Sequence, residues 1–278
     1  MQRVPEMIDS FRRALGWTTT NAAEILENKP TWIRLVKRIA EISMLSNSIL
    51  DGRLGQFDPA FEEDARRWIE LAWRRTRHGD LFAEALANEP AMTSLAMTYS
   101  QFHRHGLRNE RFEQLLVQRA SEPRHEWFVQ LATACAYRSL GLPSGHDVDA
   151  LLSQAWCVRI PDLQIADIGR MYETTHVIMW LGHDIPADAC DRLRRFVPRW
   201  IDHYRAVKNP DLVAELVVAA HVLGERGSDA TWRWLLDLQT DDGSLREMDS
   251  PTRVLGRWHV TFAFALALAT ALGDLEAS

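Results

Sequence analysis

Two glutamates stand in register on neighbouring apolar segments of this chain: Glu173 in Met171-Tyr-Glu-Thr-Thr-His176 and Glu215 in Leu212-Val-Ala-Glu-Leu-Val217. Each precedes a helix-ending glycine, Gly182 or Gly224, by nine residues, which sets both near the middle of adjacent helices. An ionised carboxylate inside an apolar layer is costly unless it is paired or faces a wet cavity. Two that share a proton form an acid/base couple, with one pKa raised. His176 follows Glu173 by three residues and so shares its helix face. Its imidazole titrates near neutral pH, which suits a proton shuttle. The competing expectation ties each glutamate to an arginine between helices.

Other residues are expected to hold a substrate. Polar and aromatic side chains recur where apolar helices begin, among them Asn209-Pro-Asp211, Tyr172, Arg257 and His259. Asn, Asp and Pro are also ordinary helix starters, which accounts for part of that pattern. Eleven Trp against four Tyr suggests an aromatic wall, for which Trp127, Trp180 and Trp258 are the candidates. Trp68, Trp73 and Trp200 lie on charged segments and are expected to staple helix pairs. No metal site is expected: Glu173-x-x-His176 is half of a di-iron pattern, and its other copy, Glu122-Pro-Arg-His125, straddles a proline. Asp147-Val-Asp149 reads as a helix N-cap with first-turn acid. The sequence has no Asp-Asp-x-x-Asp magnesium motif, P-loop, nucleophile elbow or dinucleotide fingerprint, so no cofactor is implied.

The segments that position these residues have helical periodicity throughout, and no period-2 strand is evident. Helices are expected near 6–15, 19–28, 31–51, 59–77, 90–105, 109–120, 125–140, 147–157, 163–181, 187–206, 210–224, 229–239 and 254–273. Gly106, Gly141, Gly182, Gly224 and Gly273 close Ala-rich helices at intervals of 35, 41, 42 and 49 residues, the length of one helical hairpin. Apolar helices alternate with Arg-rich ones such as 187–206, which implies an inner and an outer ring. The expected fold is all-α: one domain over 1–278, an α/α toroid of five to six hairpins, with an open helical solenoid as the alternative.

Composition narrows the function classes. With 46% apolar residues, 25% charged and a formal charge of −6, the chain reads as globular and not as a nucleic-acid binder. Cys135, Cys157 and Cys190 are odd in number and lack paired spacing, so they read as reduced residues of a cytoplasmic protein. The N-terminus has no apolar signal region, and the run 261–272 is too short to span a bilayer. The arginine bias, with only three lysines, suggests a GC-rich bacterial source.

One stretch carries a family likeness. In Gln239-Thr-Asp-Asp242-Gly243-Ser244-Leu245 an amphipathic helix ends in a tight turn, and a nearly all-apolar helix follows. It resembles the Gln-x-x-Asp-Gly-Ser-Trp repeat of the squalene cyclase and prenyltransferase α/α-toroid superfamily, with Leu245 in place of the Trp, over about one repeat. The resemblance implies architecture. The expected function is a small enzyme of specialised metabolism, of cyclase, isomerase or lyase type, acting on an apolar, terpenoid- or polyketide-like molecule through Glu173, His176 and Glu215. The alternative is a non-catalytic repeat module that binds a protein or peptide. The sequence leaves oligomeric state open.

Overall fold

A helix that is apolar all round must be enclosed, whereas one with a single apolar stripe lies on the surface. Both kinds occur here. The computed structural model describes residues 3–27, 32–120, 126–159, 167–246 and 254–275. The fold is all-α, and no strand occurs among these residues; a β-bridge joins Gln239 to Leu245. In chain order the helices are α1 (Val4–Glu27), α2 (Trp32–Asp51), α3 (Pro59–Arg75), α4 (Asp80–Asn88), α5 (Leu95–His103), α6 (Glu110–Gln118) and α7 (Trp127–Ser139). The short α8 (Val148–Leu152) and α9 (Trp156–Arg159) precede α10 (Ile168–Leu181), α11 (Ala187–Ala206), α12 (Pro210–Val222), α13 (Asp229–Asp237) and α14 (Val254–Asp274).

Burial separates two layers. Every residue of α12 from Leu212 to His221 is buried. On α11 only a stripe at helical spacing is buried, namely Ala189, Leu193, Val197, Trp200, Ile201 and Tyr204. The inner helices touch in sequence: α2 meets α5, α5 meets α7, α7 meets α10, α10 meets α12 and α12 meets α14. The last, α14, packs on α2, so the contacts run in a closed cycle. Outer helices seat against them, α3 on α2, α11 on α12 and α1 on α14. Trp68, Trp73 and Trp200 are buried between the layers.

Glycines end several inner helices in the left-handed region, with φ of 73° at Gly106, 66° at Gly141 and 80° at Gly224. Gly273 does not; it lies inside α14. There its missing side chain serves packing, since a Cβ would come within 3.1 Å of the Gly52 Cα just beyond α2. Two further differences from the sequence expectation have local causes. The first helix is unbroken from Val4 to Glu27, because Gly16 sits in its interior with no steric demand on it. The unexpected helix α4 is capped by Gly79 at φ 89°.

The turn after α13 ties the last hairpin to the first helix. Gln239 accepts from the Ser10 hydroxyl at 2.7 Å and donates to the carbonyls of Ser10 and Gly243, both at 2.9 Å. Asp242 gathers the hydroxyls of Thr240 and Ser244 at 2.6 and 2.7 Å and pairs with Arg257 at 2.8 Å. Leu245, fully buried, donates its N–H to Thr261 of α14. Elsewhere Asp147 caps α8 through the N–H groups of Asp149 and Ala150. Cys135, Cys157 and Cys190 are free thiols. No helix among the described residues is long and apolar enough to cross a membrane.

Candidate active site on the ring axis

Asn209 caps α12 by accepting from the Leu212 N–H, and Pro210 supplies a first helical residue that needs no partner for its nitrogen. Asp211 is thereby free of capping duty. One turn later on the same face comes Glu215, since residues four apart on a helix are neighbours. The adjoining α14 contributes His259, whose Nε2 lies 3.3 Å from Asp211 Oδ2 and 3.9 Å from Glu215 Oε1. On its other side, His259 Nδ1 stands 2.8 Å from Glu41 Oε1 of α2. Lys37, exposed one turn before Glu41, approaches the same oxygen to 3.6 Å.

Helix α10 completes the group. Tyr172 donates its hydroxyl to Asp211 Oδ2 at 2.5 Å, and Thr175 donates to Glu215 Oε2 at 2.6 Å. His176 Nδ1 lies 2.6 Å from the Tyr172 carbonyl. A carbonyl can only accept, so Nδ1 carries a hydrogen. Four inner helices thus bring three carboxylates, two imidazoles and a phenol to one place.

Their electrostatics differ sharply. Burial raises the Glu215 pKa, and the nearby His176 offsets this only in part. Burial would also raise Asp211, but contact with His259 and Tyr172 outweighs it and holds the carboxyl below its usual range. For His259, burial alone would lower the pKa; the Asp211 and Glu41 carboxylates overcome it and push it up to about 10. Burial, then the charge of Asp211, raises Tyr172 and keeps it a neutral donor.

A pH prediction follows. A histidine raised in the folded state contributes stability that is complete below its unfolded value, about 6.5, and disappears as pH climbs through the folded value. Relative to His259→Gln, the wild-type chain should therefore hold its largest melting-temperature advantage near pH 6. The advantage should shrink steadily toward pH 10, as thermal unfolding at several pH values would record.

An axial chamber of about 410 Å³ lies beyond this cluster, toward the C-terminal ends of the inner helices. All six line it, through residues such as Met44, Met97, Cys135, Trp180, Val218 and Leu266. Glu41 to Met44, His176 to Trp180 and Glu215 to Val218 are each one turn apart, about 4.5–6 Å along the helix. The His176 ring contacts Trp180 at 5.6 Å between centroids. On the opposite side His176 also borders a mouth walled by Trp127 and Phe128. The cluster forms a polar waist one turn from the chamber without lining it; Tyr172 and His176 border the mouth, while Asp211 and His259 border a separate pocket with Tyr204, Lys208 and Val260.

Not every residue expected at the site is there. Glu173 does not meet Glu215; it is half-buried and accepts the Trp156 backbone N–H, while burial raises its pKa. Glu173 lines the outer mouth beside Tyr172 and beside His176, with which it shares a helix face, and does not reach the carboxylates of α12. Trp258 is not a chamber wall. It is 2% exposed, lies between Trp17 and Phe262, and donates its indole N–H to Glu41 at 2.5 Å. Arg257 faces outward to Asp242 and the Trp17 ring. The sequence reading missed Glu41 as an active group and placed Asp211 only among helix starters. An isolated acid inside the apolar run Ile39-Ala-Glu-Ile, and the Asp211/Glu215 pair four apart, were the available signals.

Asp211, Glu215 and His259 each bring a donor atom to within 4.8 Å of the others, a set able to hold a metal ion. The sequence expectation of no metal considered only Glu173-x-x-His176 and Glu122-Pro-Arg-His125, and the latter lies outside the described residues. With the geometry in place, the comparisons add a family. A family model described as "Domain of unknown function (DUF6895)" matches residues 11–263, which includes the whole waist, and the chain belongs to that family. No curated protein and no solved structure matches it.

Proposed function

We propose that this member of the DUF6895 family is an enzyme that moves protons on a small, largely apolar molecule held on the axis of an α/α toroid. The reaction class is isomerisation, cyclisation or elimination, of the kind found in specialised metabolism. The observation that carries this reading is the convergence of Asp211, Glu215 and His259 one helical turn from a chamber lined by all six inner helices. Buried titratable groups with opposed pKa shifts beside a cavity are what acid/base chemistry requires.

Roles follow from protonation. Glu215, with its raised pKa, gives a proton to one substrate carbon. His176 in its neutral form takes a proton at Nε2 from the allylic carbon at the other end of the same three-carbon unit, so that the double bond moves and charge balances. Asp211 stays ionised and holds His259, while Tyr172 fixes the Asp211 carboxylate. The closed cycle of helix contacts and the turn around Gln239 support the toroid and its likeness to squalene cyclases and prenyltransferases. They weigh against the alternative of a partner-binding repeat module, which needs an open concave face.

The test is incubation of the purified chain in D₂O with an extract of apolar bacterial metabolites, read by mass spectrometry. Wild-type protein should add deuterium to at least one compound that Glu215→Gln leaves untouched. Identical spectra for the two proteins would remove the enzymatic reading.

A further inference from the structure

Charge and hydrogen bonding inside the axial chamber together describe what it can hold. Among the described residues that line it, only Asp51 and Arg104 are charged, and they pair with each other. A guest with a charge of its own would find no free counterion there, and an unpaired charge is costly to bury. The walls made by α7, α10, α12 and α14 present apolar surface, including Met179, Trp180, Val218 and Leu266. On those walls Ser139 and Thr270 spend their hydroxyl hydrogens on the carbonyls of Cys135 and Leu266. The volume has room for roughly fourteen heavy atoms at the ~30 Å³ that a water occupies in the liquid.

The side made by α2 and α5 differs. It carries Asn47, Ser48, Ser100 and Gln101, and hydrogen bonds fix which way its amides face. Asn47 Nδ2 lies 3.3 Å from the Gln101 main-chain oxygen. That oxygen can only accept, so the nitrogen of the Asn47 amide is on its side. The same nitrogen donates to Gln101 Oε1 at 2.8 Å, and Asn47 Oδ1 accepts from His105 Nε2. Asn47 is thereby saturated. With Oε1 turned to Asn47, Gln101 is left with Nε2, a donor that has no acceptor among the described residues. Ser100 donates to the Met97 carbonyl, whereas the Ser48 hydroxyl has no partner among the described residues. A hydrocarbon laid over these two donors would strip their water and return nothing, while an acceptor oxygen would satisfy them.

We infer that the chamber takes an uncharged molecule whose apolar body bears a carbonyl oxygen, held by Gln101 Nε2 with Ser48 as a second donor on the same side. A carbonyl has two lone pairs and so suits two donors. This rests on the enzymatic reading only in calling the guest a substrate, since binding is measured without turnover. Ketone binding without deuterium incorporation sinks the enzyme and keeps the ligand class; deuterium incorporation into a charged compound does the opposite.

The experiment compares benzylacetone, butylbenzene, phenylbutyrate and phenylbutylamine, each below its solubility limit, by calorimetric titration of the full chain. Benzylacetone should bind roughly tenfold or more tightly than either charged probe. Gln101→Met, which keeps the length and removes the donor, should weaken benzylacetone about five- to tenfold, as for one lost hydrogen bond, and leave butylbenzene within about twofold. Gln101→Glu keeps an acceptor for Asn47 and replaces the donor with a carboxylate oxygen, so the preference should pass to phenylbutylamine. Val218→Trp, which fills the chamber, should abolish binding of all four. Circular dichroism and melting curves establish that each variant is folded; because the charge preference is read on the wild-type chain, a misfolded variant leaves that comparison intact. Equal or tighter binding of either charged probe to the wild type overturns the inference, as does no binding by any of the four. A folded Gln101→Met protein that loses butylbenzene as much as benzylacetone, or neither, also overturns it, because the oxygen would then lie elsewhere.

Discussion

Glu215→Gln is expected to lower turnover by about 10²- to 10⁴-fold, the usual contribution of a positioned general acid, while shifting the melting temperature by only a few degrees. Gln keeps the shape of the side chain and can still accept from Thr175, which donates to Glu215 Oε2 at 2.6 Å. It cannot deliver a proton. Stability changes little because the raised pKa already reflects how poorly this site supports a full charge. Glu173→Gln is the matched control, as that carboxyl serves the Trp156 N–H and lies off the waist. The pair of variants is read by deuterium incorporation beside melting curves. A Glu215→Gln protein that melts far below wild type and keeps its activity would make the residue structural.

Gly243→Ala should be the most disruptive small substitution in the chain. Its φ of 91° disfavours any L-residue, and a Cβ there would lie 2.2 Å from the Arg13 carbonyl oxygen on α1. The torsional cost alone is about 1–2 kcal/mol. The clash adds to it, because backbone cannot swing aside as a side chain can. A total of about 3–5 kcal/mol corresponds to a melting point lower by roughly 10 °C for a chain of this size. Gly224→Ala separates the two contributions: its φ is 80°, yet nothing lies within 4 Å of the added carbon. That variant should lose only the torsional part. Equal losses in the two proteins would mean that the approach of the turn to α1 is looser than the geometry indicates.

Layering was legible in the residues, and orientation about each helix was not. The largely apolar stretch from Leu212 to His221 and the striped one from Ala187 to Ala206 announce inner and outer helices by pattern alone. Glycine-aligned register puts Glu173 and Glu215 each at the sixth residue of its helix, α10 and α12, yet it is Thr175 that meets Glu215. Depth says nothing of azimuth, however, and packing turns the Tyr172, Thr175 and His176 face toward the axis. Asp211 illustrates a second limit. Next to Asn209 and Pro210 it looks like part of a helix start, and only the structure shows Asn209 alone doing the capping. Glu41 illustrates a third: its partners Trp258 and His259 lie more than two hundred residues away along the chain, beyond any local pattern.

The hold of the Gln239 turn on Ser10, across 229 positions of sequence, bears on how the protein is made. Of the described helices α1 is synthesised first, and it leans chiefly on α14, which is synthesised last of them. Until translation has delivered α14, the nascent chain can stack its middle hairpins but offers an unclosed arc with a raw apolar seam at each end. Polypeptides released early, or stalled before residue 254, would expose that seam to chaperones and proteases, and closure of the ring of contacts would wait on α14.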